Sequence, residues 1–280
     1  MRVRESPDLR VAYLLTGLAA VAMAVVSAGG AFAPAWLYRD NPLITATFRG
    51  QDLVTVIAAV PLLVVGLILE SRGSARGRVL WIAMLFYAFY SYLFYAFGAA
   101  FNAFFLLYVA IMGLALYALL SAVPRLRFSP AATNSAGRPA RVAGIAYLLV
   151  VATGLGLLWT GMSASYLFTG AVPAPIVASG HPTGVVFAID LVFIVPPMVI
   201  GAVGLIRRRA FGCFVAAAMC LSGTIYTLSL AAASVEGVAE GVGNGAELPL
   251  WIGLTLFGAL ASGLLLWSRP TGAVEAAAAR

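Results

Sequence analysis

Eight apolar runs mark the chain, at roughly 11 to 32, 53 to 69, 79 to 98, 103 to 123, 142 to 162, 185 to 206, 211 to 234 and 250 to 267. A helix needs about 20 apolar residues to cross the hydrocarbon core of a bilayer. The pattern therefore predicts an all-α membrane protein with eight transmembrane helices. The second and last runs are short, which fits little tilt or local thinning of the bilayer.

The polar stretches between the runs carry the orientation. Arg2, Arg4 and Arg10 precede the first run, and Arg72, Arg76 and Arg78 join the second to the third. Arg125, Arg127, Arg138 and Arg141 join the fourth to the fifth, Arg207, Arg208 and Arg209 join the sixth to the seventh, and Arg269 and Arg280 follow the eighth. Only Arg39 and Arg49 fall on the other side, so the positive-inside rule predicts that both termini are cytoplasmic. The opposite loops hold Asp40, Asp52, Glu236, Glu240 and Glu247.

Composition agrees with that placement. At 280 residues, 62% apolar and 10% charged, the chain is unlike a soluble domain and unlike a disordered one. The net charge of +7 reports membrane orientation, so no nucleic-acid partner is needed. No lysine is present, which excludes a retinal Schiff base, a pyridoxal phosphate aldimine and a phosphate-loop lysine. Cys213 and Cys220 are seven apart, about 10 Å along a helix, too far for a disulfide. The basic amino terminus followed by an apolar run and Ala31-Phe32-Ala33 resembles a signal peptide. The length of the run and Pro34 directly after the triplet favour a retained span.

The chain reads as duplicated. Val60-Pro61-Leu62-Leu63-Val64-Val65-Gly66 matches Val195-Pro196-Pro197-Met198-Val199-Ile200-Gly201, and Arg10-Val11-Ala12 matches Arg141-Val142-Ala143. The offsets are 135 and 131. Four spans per unit is even, so the two units insert the same way round as parallel four-helix repeats, an arrangement found among transporters. The expected organisation is a first repeat at 1–123, a cytoplasmic linker at 124–141, a second repeat at 142–269 and a disordered tail at 270–280. Pro61 and Pro196-Pro197 fall mid-span at matching depth. Each removes a backbone hydrogen bond and is expected to kink its helix, which is tolerated where neighbours or cavity water satisfy the freed carbonyls.

Depth can then be assigned to the polar residues. Asp190 is the one carboxylate clearly inside a span, and such residues usually face a cavity or a partner and mark ion, proton or substrate paths. Asp52 is expected at the outer mouth of the second span beside Arg49 and Gln51. Tyr92 and Tyr95 lie on the outer third of the third span, Asn102 on the turn after it, and Tyr108 early in the fourth. His181 precedes the sixth span, while Thr224, Tyr226, Thr227 and Ser229 fall in the outer half of the seventh. Together they suggest an outward-facing polar and aromatic vestibule between the repeats, in which Asp190 can exchange a proton. Glu236 and Glu240 read as a solvated acidic loop. Loops 33–52 and 163–184 read as interfacial segments covering the vestibule.

The third span is densely aromatic, and an interfacial belt accounts for Tyr92 and Tyr95 but not for Phe86, Tyr87, Phe89 and Tyr90 near the midplane. Tyrosine hydroxyls buried there need partners. The run FYAFYSYLFYAFGAAFNAFFLLYVA, with the preceding FRGQDLV, resembles segments of uncharacterised prokaryotic multi-pass membrane proteins. The resemblance covers the first half of the chain, implies a prokaryotic plasma-membrane location and brings no activity or site residues.

No cofactor or metal set is implied: a single histidine cannot supply bis-histidine haem ligation, and no HExxH motif is present. The leading expectation is a protein that binds or transports a small molecule or lipid-like ligand, with the lipid bilayer as its surroundings. The alternatives are a membrane-embedded enzyme acting on a lipid or extracytoplasmic substrate, for which no nucleophile motif stands out, and a non-catalytic assembly subunit. Nothing in the sequence fixes an oligomeric state.

Overall fold

The computed structural model describes residues 9–126 and 137–267. The central part of the expected linker and the tail beyond Pro270 lie outside the described residues, as do Arg2, Arg4, Arg127, Arg269 and Arg280. No strand occurs among the described residues. Among the described residues eight helices are long and apolar enough to cross a membrane: α1 (Arg10–Phe32), α2 (Pro42–Ser71), α3 (Ala75–Gly98), α4 (Phe105–Arg125), α5 (Arg138–Thr169), α6 (Val185–Ile206), α7 (Ala210–Ala239) and α8 (Leu248–Trp267). The protein is a polytopic membrane protein.

The helix faces are those of a bundle in lipid. On α1, Val11, Leu14, Leu18, Val21 and Val25 form an exposed stripe. Ala12, Thr16, Ala19, Ala20, Met23, Ser27 and Gly30 form the buried one. Large apolar side chains outward and small ones inward is the pattern expected where lipid rather than water is the solvent. The central helices are α3 and α7, with 72% and 56% of their apolar windows buried against at most 39% in the other six. In the first half α1 packs on α2 and α4, and α3 on α2 and α4; in the second, α5 packs on α6 and α8, and α7 on α6 and α8. The halves meet where α2 and α3 contact α7 and where α3 contacts the start of α6.

Glycines set the closest approaches. A Cβ at Gly66 would strike the Trp81 backbone, and one at Gly201 would strike the Ala216 backbone. Gly204 and Gly212 face each other across α6 and α7, and Gly50 of α2 lies against the Ala232 and Ala233 backbone of α7.

The prolines act through the turn that precedes them. In α2 a π-helical turn, Thr55–Ala59, ends with Val60 N–H donating to the Thr55 carbonyl; in α6 the turn Asp190–Ile194 ends with Val195 N–H donating to the Asp190 carbonyl. Widening the helix by one residue moves the carbonyl that would clash with the proline ring and spares its missing donor. Each turn is followed by a twelve-residue α-helical segment that opens Val-Pro, Val60–Ser71 and Val195–Ile206.

The second span starts earlier than its hydropathy suggests. Asn41 caps α2, accepting from Ile44 N–H at 2.9 Å, and Pro42 takes the first helical position, where its missing N–H costs nothing. The stretch expected as an interfacial loop from 33 to 52 is therefore helical from Pro42, with a one-turn helix at Pro34–Leu37 before it. Asp52, expected at the mouth of the span, sits ten residues inside α2, about 15 Å along its axis.

One end of the bundle is basic and the other acidic. At the basic end Arg76 Nε donates to the Leu266 carbonyl at 2.9 Å and its guanidinium lies over the Trp267 ring. Arg78 Nε there holds both oxygens of the buried Glu70 at 3.1 Å.

Candidate functional site

The sequence groups its candidate residues around one vestibule; in the structure Asp52, Tyr92 and Tyr95 fall in one enclosed cluster and Asp190 and Tyr226 in a second, joined by the aromatic helix α3. Asp52, 1% exposed, is the centre of the first. Its Oδ1 accepts from Tyr95 O–H at 3.0 Å and its Oδ2 accepts from Tyr38 O–H. Gly30 of α1 leaves the room, since a Cβ there would overlap both the carboxylate and the Tyr38 hydroxyl. Phe48 stacks between Tyr38 and Tyr95, and Tyr92 and Tyr108 complete an aromatic wall, with ring centroids 5.3 Å and 5.2 Å from Tyr95. The hydroxyls of Tyr92 and Tyr108 and the Gln51 amide nitrogen are buried without a hydrogen-bond partner. Burial first, then the adjacent Asp52 charge, holds the Tyr38 phenol well above its ordinary range.

Asp190, 5% exposed, is the centre of the second cluster. Its Oδ1 accepts from Tyr90 O–H and its Oδ2 from Trp159 Nε1–H at 2.8 Å. Trp159 stacks on Phe187 with centroids 4.2 Å apart, and Tyr226 meets Tyr90 edge-on at 4.9 Å. Among the described residues neither Asp52 nor Asp190 forms an ion pair. Between the two clusters the Tyr87 hydroxyl holds Thr55 Oγ1 at 2.7 Å and Ser229 Oγ at 3.1 Å, bonding α3 to the π turn of α2 and to α7. The midplane tyrosines thus find polar partners on three other spans.

The remaining candidates lie elsewhere. Arg49, expected beside Asp52 at the outer mouth of the second span, reaches instead across to α7, where it meets Glu236 at 2.9 Å and Glu240 at 3.2 Å. Those two acids, read as a solvated loop, stand one turn apart at the end of α7 and share one arginine. Thr227 accepts from Thr255 of α8 at 2.9 Å. Asn102 folds its own turn, accepting from Phe104 N–H and donating to the Ala100 carbonyl.

His181 and its neighbours close the acidic end. His181 Nε2 lies 2.7 Å from the Gly98 carbonyl, Asn41 Nδ2 donates to the carbonyls of Ala178 and Ser179, and Asp40 Oδ1 accepts from Ala100 N–H at 2.8 Å. Loops of both halves are thereby tied over the end of α3. Burial pushes the Asp40 carboxyl above its ordinary range, against the opposing pull of the Ala100 N–H and of His181.

Tyr38, Tyr87, Tyr90 and Trp159 do not stand among the sequence candidates for ligand contact, although the midplane aromatic density flags Tyr87 and Tyr90. Nothing in the local sequence marks Tyr38 or Trp159. No cluster of three or more His, Cys, Asp or Glu suited to a metal ion occurs among the described residues. Comparison with protein-family models, curated proteins and solved structures gives no match.

Proposed function

We propose that the protein is a membrane carrier made of two like four-helix halves, in which Asp52 and Asp190 take up and release protons as the halves move against each other. The observation that carries this reading is the pair of buried carboxylates. Among the described residues each is held only by phenol or indole donors and lacks an ion pair, and each stands at or one turn before a π turn and a Val-Pro break. A carboxylate so placed exchanges its charge with a proton more cheaply than one locked to an arginine. The π turn beside it supplies backbone that can change register.

Duplication supports the carrier reading. The two π turns are 135 residues apart, as are the starts of α3 and α7. The left-handed turn residues Gly73 and Arg208 have the same spacing. So do the glycine contacts, with Gly66 on Trp81 answered by Gly201 on Ala216, and Gly77 on Leu69 by Gly212 on Gly204. In this register Thr55 corresponds to Asp190, and Asp52 lies one turn earlier. With the basic end cytoplasmic and the acidic end outward, both termini face the cytoplasm of a prokaryotic cell. The enclosed arrangement is then an occluded state, and the outward vestibule opens when the Arg49 clamp and the loop contacts at Asn41 and His181 part.

The test is motion linked to protonation. Spin labels at Phe101→Cys and Val172→Cys, exposed positions in loops of the two halves, are placed in a chain lacking Cys213 and Cys220 and reconstituted in vesicles. The carrier predicts two label distances whose populations change with pH, and a single pH-independent population in Asp52→Asn and Asp190→Asn. One unchanging distance in all three chains would remove the proposal.

A further inference from the structure

The two halves differ at the acidic end of their first helices. In α1 the buried face continues to Ser27, Gly30 and Ala31, almost to its end. In α5 the last buried residue is Ala152, and the seventeen residues that follow, to Thr169, include none. Gly154, Gly156 and Gly161 there face open space. Between this free length of α5 and the start of α6 lies a groove of about 340 Å³, lined by Ser163 and Tyr166 of α5, Ile176 of the short helix Ala174–Ser179, and Phe187, Ala188 and Leu191 of α6. That is within the usual range of small-ligand sites, about 300–1,000 Å³.

The groove ends on a site already built. Phe187, part of its wall, stacks on Trp159, whose indole N–H occupies Oδ2 of Asp190. One stacked aromatic pair therefore separates the groove from a buried carboxylate. Turning the Trp159 indole away would free Oδ2 to accept from another donor.

The surroundings select the occupant. Ser163 and Tyr166 face the groove from a length of α5 that holds no buried residue, and Leu167, 79% exposed, stands one turn after Ser163, so the groove is open on the side that the bundle turns to lipid. What reaches it by diffusion in the bilayer is a chain-bearing amphiphile. The lining carries hydroxyls at Ser163, Tyr166 and Thr183 but no basic side chain to pair with an anionic head, whereas Asp190 offers an acceptor to a cationic one.

We infer that the groove between α5 and α6 is a lateral entrance for a lipid-like amphiphile with a primary ammonium head, which displaces Trp159 and delivers that head to Asp190. This rests on the carrier reading and names its substrate class. The full chain is reconstituted in phosphatidylcholine vesicles with a long-chain primary amine carrying a photoactivatable diazirine in its chain, or with the N,N,N-trimethyl counterpart, which has no N–H to donate. Cross-links are then mapped by peptide. The expected result is labelling of the 159–191 region, several-fold stronger for the primary amine.

Ala188→Trp, which fills the groove from an exposed position, should abolish labelling by both probes. Asp190→Asn should keep the chain contact and lose the preference. Trp159→Phe keeps the stack and removes only the indole donor, so it should strengthen amine labelling. Labelling indifferent to Ala188→Trp, or a preference that survives Asp190→Asn, would overturn the inference. An amine preference without pH-linked label distances removes the carrier reading and leaves the groove, and the reverse pattern removes the groove alone.

Discussion

Replacing Gly50 by alanine tests the contact between the halves at its tightest point. A Cβ at this position would lie 2.6 Å from the Ala232 carbonyl carbon and closer still to the backbone of Ala233. Carbon atoms rest about 3.5–4.0 Å apart, and the obstacle is main chain, so α2 and α7 must part by about 1 Å. A gap of that size forfeits up to about half of the dispersion well of each contact it opens. Overpacking of this kind costs about 1–3 kcal/mol, and a rigid neighbour puts Gly50→Ala in the upper part of that range.

The chain supplies its own reporter, because its two cysteines are both on α7, with Cys220 buried and Cys213 partly so. Thermal unpacking of α7 can be followed with a thiol-reactive fluorogenic dye, using Cys213→Ser as background so that Cys220 alone reports. Gly50→Ala should release Cys220 several degrees below its parent. Gly161→Ala, at a helical position with nothing within 4 Å, should be neutral or stabilise by up to about 1 kcal/mol. If Gly50→Ala unpacks with its parent while Gly161→Ala shifts, the reasoning about the α2–α7 contact is wrong.

Arg49→Ala removes two contacts to acids of which Glu240 is well exposed. It should lower stability by no more than about 1 kcal/mol, with the difference fading as salt is raised in parallel melts. Tyr87→Phe leaves Thr55 bonded to the Gln51 carbonyl and Ser229 to the Ile225 carbonyl, so it should cost only about 0.5–1.5 kcal/mol; a larger loss in the same melt would mean that Tyr87 holds the π turn in place. Asp40 has a raised folded pKa, so between the ordinary carboxylate value and that raised value the native state binds more protons than the unfolded one. Its contribution to stability is therefore fully present below the unfolded pKa and declines as pH rises through the folded pKa. Asp40→Asn keeps an acceptor for Ala100 N–H, and melts at a series of pH values should show it more stable at neutral pH, with that decline flattened.

The sequence carries the spans well where their ends are chemically marked. α6 runs over the expected 185–206 because Pro182 and Gly184 precede it and three arginines follow. α2 is the instructive exception: Thr45, Thr47, Arg49, Gln51 and Asp52 dilute the hydropathy of its first half, because a helix face turned to α3 and α7 need not be apolar as a lipid face must. The Asn41-Pro42 cap was the local signal for its true start. Pro61 and Pro196 revealed where the helices break, but the change of hydrogen-bond register into a π turn belongs to the backbone.

The site was half legible. A carboxylate in a span and tyrosines at the midplane are anomalies of composition, visible at once. Their partners are not, because Asp190 takes its donors from α3 and α5 and Asp52 from α3 and the loop before α2. Arg49 shows the same limit. Its charge stands out among the acidic loops, but only the close approach at Gly50 brings it to Glu236.

Whether Asp52 and Asp190 change protonation within the folded protein is read by infrared difference spectroscopy of the reconstituted chain across a pH series. Proton exchange at both carboxylates gives two carbonyl stretches of protonated carboxyl groups that fade as pH rises, one absent in Asp52→Asn and the other in Asp190→Asn, each perturbed when its tyrosine donor, Tyr95 or Tyr90, is replaced by phenylalanine. A spectrum in which neither asparagine variant removes a pH-dependent carboxyl band would contradict it.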